Sequence, residues 1–366
     1  MSAALPSNRA SLLRQASSMA SRLDRAYRLY RRRISRCRTE NQLNRIQIAL
    51  GNYMTPAEVR YFDAALAAEA ADVPSRRWIA KLHGSMPTNK VWPLEFERRG
   101  IFKGATRYMA EGAPPSQKTL IIGFAGHFHR LMSPTPWLLD CLNPAFYDVI
   151  VLRDFSRLDF GFGIPGLGGD FFEALANLQG RVDAHAYRRV VALGTSGGGV
   201  PAVMAAILLK VDRGIAVCPQ DFHRFAAKQR AHGLSELRYA ALLASRPRPF
   251  PELLLVCGAG YSDDAAAAIA LQKLVPSRLW QVKDCAQHAV LIWHLKRGML
   301  PAFLATILGQ DLETGESAAT AVSATGGDEP DAGSIPVSIE NRPNGNFTVD
   351  PHPESCAPNP SRSEGS

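Results

Sequence analysis

Short runs of apolar residues between positions 105 and 308 constrain the fold of this chain more than any other feature. Each run is continuously apolar rather than alternating, which is typical of strands buried on both faces in a parallel sheet covered by helices. The six runs lie at residues 119–124, 148–152, 189–193, 214–218, 253–257 and 279–282. Segments of helical composition alternate with them at residues 170–178, 200–209, 265–274 and 289–308. This alternation predicts repeated βαβ units in an α/β fold with an open, doubly wound, mostly parallel sheet.

The rest of the chain divides into two extensions of that sheet region. At 366 residues the chain exceeds a typical domain of roughly 100 to 200 residues. Its composition, 46% hydrophobic and 20% charged, provides for a core and excludes a wholly disordered or fibrous chain. We predict a basic helical N-terminal extension at 1–104, the α/β domain at 105–308, and an acidic tail at 309–366. The tail is rich in Gly, Ser and Pro without periodicity, which predicts disorder.

Charge is concentrated at the two ends of the chain. Residues 1–50 contain eleven arginines and two acidic residues, a net charge of +9, whereas residues 311–366 contain two arginines and ten acidic residues, a net charge of −8. Because these charges nearly cancel, the overall pI of about 9.4 is poor evidence for a nucleic-acid-binding core. We therefore predict no nucleic-acid partner.

The Arg-rich head has helical patterns. Apolar residues recur at helical spacing from residue 11 to 50, and Thr55-Pro56-Ala57-Glu58 has the pattern of a helix cap. The sequence thus predicts two helices before residue 75. Three interpretations of the head stay open: a solvated basic helix packing one face on the body, a surface for an anionic membrane or an acidic partner, and an organellar transit peptide. We favour the first and keep peripheral membrane contact as a hypothesis.

Two absences in the sequence bear on its compartment. No run of about 18 uncharged apolar residues is present, so no transmembrane segment is expected, and the N-terminus lacks the apolar region of a secretory signal. The six cysteines include no C-x-x-C pair, which argues against a zinc site and a disulfide framework. We expect a cytoplasmic protein with reduced thiols. The oligomeric state is not predicted.

One turn carries a chemical signature. The run at 189–193 leads into Gly194-Thr195-Ser196-Gly197-Gly198, a G-x-S-x-G element, and then directly into a predicted helix. Small flanking residues allow a sharp turn that exposes the hydroxyl of Ser196 above the sheet, as in a nucleophile elbow. A bare structural turn and a phosphate cradle are the alternatives, since residues 197–202 also fit G-x-G-x-x-A. The strand after this turn ends in Cys218-Pro219 without an acid for a ribose, which weakens the cradle.

Candidate acids and a candidate base follow the last two predicted strands. Asp263 and Asp264 come after the run at 253–257, and His288 comes after the run at 279–282. Because strand carboxyl ends converge in an open α/β sheet, these side chains are expected near Ser196. One of the two aspartates is expected to cap the following helix while the other orients His288, with Asp264 slightly favoured. Asp284 is a third candidate for the acid.

Residues 105–308 resemble the α/β-hydrolase family through this order of serine, acid and histidine. The resemblance implies a serine hydrolase, most directly a carboxylic ester hydrolase that works through an acyl-enzyme on a small-molecule or acylated substrate, with no cofactor. Ser196 would attack, His288 would move the proton, and the acid would hold the imidazole. A non-catalytic binding protein on the same fold and an acyltransferase are the alternatives, and a nucleotide-binding protein is a further rival.

The family's oxyanion hole uses two backbone N–H groups. The resemblance assigns these to Gly197 and His127, the latter in the loop from Gly123 to Arg130, although Ala125 stands where the family often has histidine. His127 and His129 form an H-x-H pair, but without a third clustered ligand we predict no metal site. Residues 220–248 are a candidate lid, rich in arginine, which either favours an anionic substrate or is a solvated helix face.

Overall fold

Eight strands form one sheet in the computed structural model, which describes residues 7–69 and 74–309. The strands are β1 (Glu97–Phe102), β2 (Ala105–Met109), β3 (Thr119–Phe124), β4 (Tyr147–Leu152), β5 (Arg189–Thr195), β6 (Arg213–Val217), β7 (Glu252–Gly258) and β8 (Arg278–Val282). Their order across the sheet is β1-β2-β4-β3-β5-β6-β7-β8. Strands β3 to β8 are parallel, whereas β1 and β2 form an antiparallel hairpin that pairs with β4.

Helices lie before the sheet and between its strands. They are α1 (Ser7–Ile34), α2 (Glu40–Gly51), α3 (Pro56–Ala67), α4 (Pro74–Gly84), α5 (Thr135–Asp140), α6 (Phe171–Arg181), α7 (Gly199–Leu209), α8 (Phe222–Ala231), α9 (Glu236–Ala244), α10 (Ser262–Leu274), α11 (Val290–Lys296) and α12 (Leu300–Leu308). The predicted fold class, a doubly wound and mostly parallel α/β sheet with a helical N-terminal extension, is confirmed.

The sheet is buried on both faces because its strands alternate apolar residues between two cores. In β3, Leu120 and Ile122 pack into one core with α6 and α7, whereas Ile121 packs into the other core with α5 and α12. All six residues of β3 are buried. This double burial explains why the strands are continuously apolar in sequence.

The N-terminal helices form a third core of their own. Tyr30 of α1, Val59 and Phe62 of α3, and Ile79 of α4 are buried together there. This core joins the body at α5, where Trp137 packs against it and donates its indole N–H to the carbonyl of Leu82 at 2.8 Å. The helices are therefore docked on the body, as the solvated-helix interpretation of the head requires.

Three helices, not the predicted two, precede residue 70 in the described chain. The pattern from 11 to 50 is interrupted after Ile34, and α2 begins with Thr39 as its N-cap, whose side chain accepts from the backbone N–H of Gln42. The predicted capping box of α3 is confirmed, since the Thr55 and Glu58 side chains each accept the other's backbone N–H. The predicted helical segment 289–308 is likewise two helices, separated at Gly298, which has a φ of +66°.

Two further predictions concern the boundaries of the α/β domain. The sheet begins at Glu97, before the predicted boundary at residue 104. No apolar run marks its first strand, β1, in which Arg98, Arg99 and Gly100 are exposed. The tail, predicted from residue 309, lies outside the described residues from position 310 onward. Across the two described ranges, no helix combines the length and the apolar character needed to span a membrane.

Candidate functional site

Ser196 stands at the carboxyl end of β5, where the chain turns sharply into α7. One turn of 3-10 helix, Ser196–Gly198, separates the strand from the helix. Ser196 itself has a φ of +53°, in the left-handed region that non-glycine residues rarely adopt. Such local strain is characteristic of functional sites. The predicted elbow geometry is therefore present at this serine.

The two glycines that flank the serine are required by close packing. A Cβ atom on Gly194 would collide with the carbonyl group of Gly198 and the side chain of Ala202. One on Gly198 would collide with the carbonyl group of Phe124 at the end of β3. The turn can be this tight only because both positions lack a side chain.

A continuous chain of hydrogen bonds links Ser196 to a histidine and an aspartate. The Nε2 atom of His288 lies 2.9 Å from Oγ of Ser196. The Nδ1 atom of the same ring lies 2.9 Å from each carboxylate oxygen of Asp264. The side chain of Asp264 is only 9% exposed, whereas that of His288 is 43% exposed. The ring is thus anchored from the protein side and open to solvent around the serine.

The three candidate acids occupy different places. Asp264 contacts His288, whereas Asp263 is exposed in the first turn of α10 and Asp284 is exposed in the loop after β8. The expectation that one of the first two caps α10 is wrong. The N-cap residue is Tyr261, which makes no side-chain capping bond, and the helix begins one residue before Asp263.

Backbone contacts hold the loops of the acid and the base against each other. The N–H of Ala259 donates to the carbonyl of Val282 at 2.9 Å, and the N–H of Gly260 donates to the carbonyl of Cys285 at 3.0 Å. These bonds continue the pairing of β7 with β8 beyond the strands. Consequently the residues that follow each strand, Asp264 and His288, converge at the edge of the sheet.

Cys218, just after β6, also contacts this group. Burial raises the pKa of its thiol well above the usual range, and the carboxylate of Asp264, with which the thiol is hydrogen-bonded, raises it further. The thiol is therefore neutral and donates to the carboxylate. Within the described residues, Cys218, Asp264 and His288 are the group whose ligand atoms lie close enough to hold a metal ion. Their mutual hydrogen bonds already explain that proximity.

The loop after β3 lies directly over the elbow. A Cβ atom on Gly126 would be 3.3 Å from Cβ of Ser196, and one on Gly197 would be 2.7 Å from Nε2 of His127. The loop that carries His127 and the turn that carries Gly197 are thus side by side. The assignment of their backbone N–H groups to an oxyanion hole stays a prediction. His129, the other member of the H-x-H pair, instead has its ring 5.1 Å from that of Phe155.

Two charged residues that no sequence pattern predicts, Asp159 and Lys228, lie beside this loop. The carboxylate of Asp159, in the loop after β4, lies 2.7 Å from Nε2 of His127 and 2.9 Å from Nζ of Lys228. Lys228 belongs to α8, inside the predicted lid region 220–248, where the chain forms α8 and α9. The one sequence signal for Asp159 is its place in the loop that follows the apolar run of β4. Whether these helices act as a lid stays a prediction.

Among known proteins, only solved structures are similar to this chain in the comparisons made. Neither the comparison with protein-family models nor the one with curated proteins found a match. Similar solved structures include a putative esterase from Staphylococcus aureus, at 15% identity over 71% of this chain and 95% of that chain with a TM-score of 0.42. Esterase B from Lactobacillus rhamnosis, inhibited by a tributyrin phosphonate, is 14% identical over 69% of this chain and 94% of its own, with a TM-score of 0.40. Dienelactone hydrolase from Anabaena variabilis is 13% identical over 58% of this chain and 97% of its own, with a TM-score of 0.39.

Proposed function

We propose that the protein is a serine hydrolase that cleaves carboxylic esters through an acyl-enzyme. The observation that carries this proposal is the continuous chain from Asp264 through His288 to Ser196, with the serine on a strained turn at the carboxyl edge of the sheet. A weak nucleophile needs a base, and the base needs an orienting group. Here His288 is the base at the Ser196 hydroxyl, and Asp264 is the group that orients it.

In the first half of the reaction, Ser196 Oγ attacks the ester carbonyl while Nε2 of His288 takes its proton. The carboxylate of Asp264 keeps the other ring proton on Nδ1 and stabilises the imidazolium that forms. The negative charge on the carbonyl oxygen is stabilised by the backbone N–H groups of Gly197 and His127. His288 then gives the proton to the departing alkoxide, which leaves as an alcohol, and the acyl group stays on Ser196.

In the second half, water attacks the acyl-serine ester. His288 takes a proton from the water as the carbon–oxygen bond forms, and the tetrahedral intermediate collapses by expelling the serine oxygen. The proton on His288 returns to that oxygen, which restores Ser196 and releases the carboxylic acid. If an alcohol entered in place of water, the same steps would transfer the acyl group.

The exposure of the site supports a small-molecule or acylated substrate. The side chain of His288 is open to solvent, and the ring of Tyr261 lies beside it with centroids 6.1 Å apart. A substrate can therefore reach Ser196 from solvent and place an apolar part against an aromatic ring.

The decisive experiment is labelling with a fluorophosphonate probe, together with hydrolysis of p-nitrophenyl acetate and butyrate. We expect the parent protein to be labelled and active, and Ser196→Ala to lose both while its melting temperature barely changes, because one hydroxyl leaves no cavity. Ser262→Ala, an exposed serine at the start of α10, is the matched control and should behave as the parent. An active, labelled Ser196→Ala variant would exclude this nucleophile. A parent that neither reacts with the probe nor cleaves either ester would instead favour a binding protein.

A further inference from the structure

The carboxylate of Asp159 is buried beside the proposed oxyanion hole and is fully occupied. Its side chain has no exposed surface. It is hydrogen-bonded to His127 and Lys228. Burial alone would raise its pKa, but the side chains of His127, Gln220 and Lys228 together hold that pKa below the usual range. A buried ion pair is costly to desolvate, and replacement of the whole pair by apolar residues of similar volume is often neutral or stabilising. Stability alone therefore does not explain why Asp159 and Lys228 are paired here.

The loop that presents Asp159 is built at a conformational cost. Arg157, Asp159 and Phe160 have φ values of +57°, +53° and +66°, which non-glycine residues adopt at an energetic penalty. The carboxylate of Asp154 stabilises this turn by accepting the backbone N–H of Ser156 at 2.8 Å and that of Phe160 at 2.9 Å. The strained backbone is thus held in place by dedicated hydrogen bonds.

Helix α8 places Lys228 beside both Asp159 and His127, with its Nζ 2.9 Å from Oδ2 of Asp159 and 3.4 Å from Nε2 of His127. Phe222 and Phe225 of α8 are buried in the core of the sheet. Gln229 donates to the carbonyl of Leu158 at 2.6 Å, which ties the helix to the Asp159 loop. Lys228 therefore stands on a docked helix, and its ammonium group has a defined position.

These groups touch the residue that follows the nucleophile. A Cβ atom on Gly197 would lie 2.7 Å from Oδ1 of Asp159 and 2.7 Å from Nε2 of His127. An unpaired carboxylate at this position would repel the negative charge that develops on the substrate oxygen. The Lys228 ammonium, 2.9 Å from the carboxylate, offsets that charge.

We propose that Asp159 is a positioning residue of the oxyanion hole, and that Lys228 neutralises it. The carboxylate fixes the His127 ring and thereby the peptide that carries the His127 backbone N–H, while Lys228 keeps the carboxylate's charge from opposing the reaction. This inference rests on the proposed esterase function. It implies that Lys228 of α8 affects kcat rather than the binding of substrate.

The test is a double-mutant cycle on Asp159 and Lys228, measured as kcat and KM on p-nitrophenyl butyrate. We expect Lys228→Met to lower kcat by about 10-fold to 100-fold, less than or similar to the loss of one oxyanion-hole donor, with little change in KM. Asp159→Asn should also lower kcat. The double variant should be faster than Lys228→Met alone, because the uncompensated carboxylate is gone. The control is Arg230→Gln, which lies on α8 like Lys228 and removes an ion pair with Glu236 of α9; it should keep the parent kcat.

A pair of variants at His127 separates positioning from general stability. His127→Ala should lower kcat in the same range, and His127→Gln, whose amide can still donate to Asp159, should recover part of it. The pH at which the rate rises should stay that of the parent, because His288 is untouched. The proposal is wrong if folded Lys228→Met and His127→Ala both keep the parent kcat, or if the double variant shows no recovery. If the parent itself is not labelled by fluorophosphonate, the proposed function fails first.

Discussion

At the scale of single residues, substitution of the neighbours Asp263 and Asp264 should have opposite effects on kcat. Asp264 is buried against His288, whereas Asp263 is exposed in the first turn of α10. We expect Asp264→Asn to lower kcat by about 10,000-fold, because an amide no longer enforces the correct imidazole tautomer. Asp263→Asn should keep the parent kcat and lose only about 0.3–1 kcal/mol of stability from the helix N-terminus. Ester hydrolysis and thermal melting of both variants measure this. Equal rates in the two variants would place the acid elsewhere.

The buried ring of His294 should make the stability of the fold depend on pH. Its ring is stacked 3.9 Å from that of Phe303, and neither ring nitrogen has a hydrogen-bond partner. Burial lowers its pKa from 6.5 to about 4. Between those values the unfolded chain binds the proton more strongly, so stability is present above about pH 6.5 and is lost as the pH falls toward 4. Melting curves across that range should show a fall that is smaller in His294→Leu. An identical fall in both proteins would contradict it.

The sequence predicted some site residues and missed others for a physical reason. Ser196, Asp264 and His288 each lie beyond the carboxyl end of a parallel strand, so the topology alone brings their loops to one edge of the sheet. The choice between Asp263 and Asp264 required the start of α10, which no local signal marks because its N-cap, Tyr261, makes no side-chain bond. The contact of Asp159 with Lys228 depends on the left-handed backbone of the loop after β4 and on the packing of α8 against the sheet. Neither has a sequence signature.

At the scale of elements, the turn between α2 and α3 braces the loop that carries His127. Nδ2 of Asn52 donates to the carbonyl of Phe128 at 2.9 Å. Arg153, fully buried at the end of β4, donates its Nε–H to the carbonyl of His129 at 2.9 Å and a second N–H to the carbonyl of Asn52. The N-terminal helices therefore support the candidate site through this turn as well as covering the body.

We expect Asn52→Ala to affect both stability and activity. It leaves the Phe128 carbonyl without its donor, which should lower the free energy of unfolding by about 1–3 kcal/mol. It should also lower kcat severalfold, because the His127 loop loses a support. Thr135→Val is the matched control, since it removes the bond from Oγ1 of Thr135 to the carbonyl of Asn52, 2.7 Å, but not the bond from the Asn52 side chain to Phe128. That variant should lose stability but keep its kcat. If Asn52→Ala has the parent kcat, the brace has no bearing on the reaction.

At the scale of the whole molecule, the sequence predicted the parts whose burial is uniform. The bounds of the six parallel strands agree with the apolar runs to within two residues. The runs stand out because five of these strands are covered on both faces, whereas β8, at the edge of the sheet, is partly exposed. The hairpin of β1 and β2 was missed because only one edge of it joins the sheet and β1 has exposed arginines. The break between α1 and α2 was missed because Arg residues continue across it and obscure the stop.

The final prediction concerns the tail, whose sequence provides no core. The described chain ends with α12, which buries Phe303, Leu304 and Ile307, and closes at Gly309 with a φ of +68°. Arg189 donates to the carbonyl of Gly309 at 2.9 Å, so a terminus created there would place its carboxylate beside a cation. Deletion of residues 310–366 should therefore leave the melting temperature and kcat unchanged. Deletion from residue 300 onward, which also removes α12, is the control and should unfold the protein because it uncovers one face of the sheet. A marked loss of melting temperature in the shorter deletion would mean that the tail contributes to the fold, contrary to its composition.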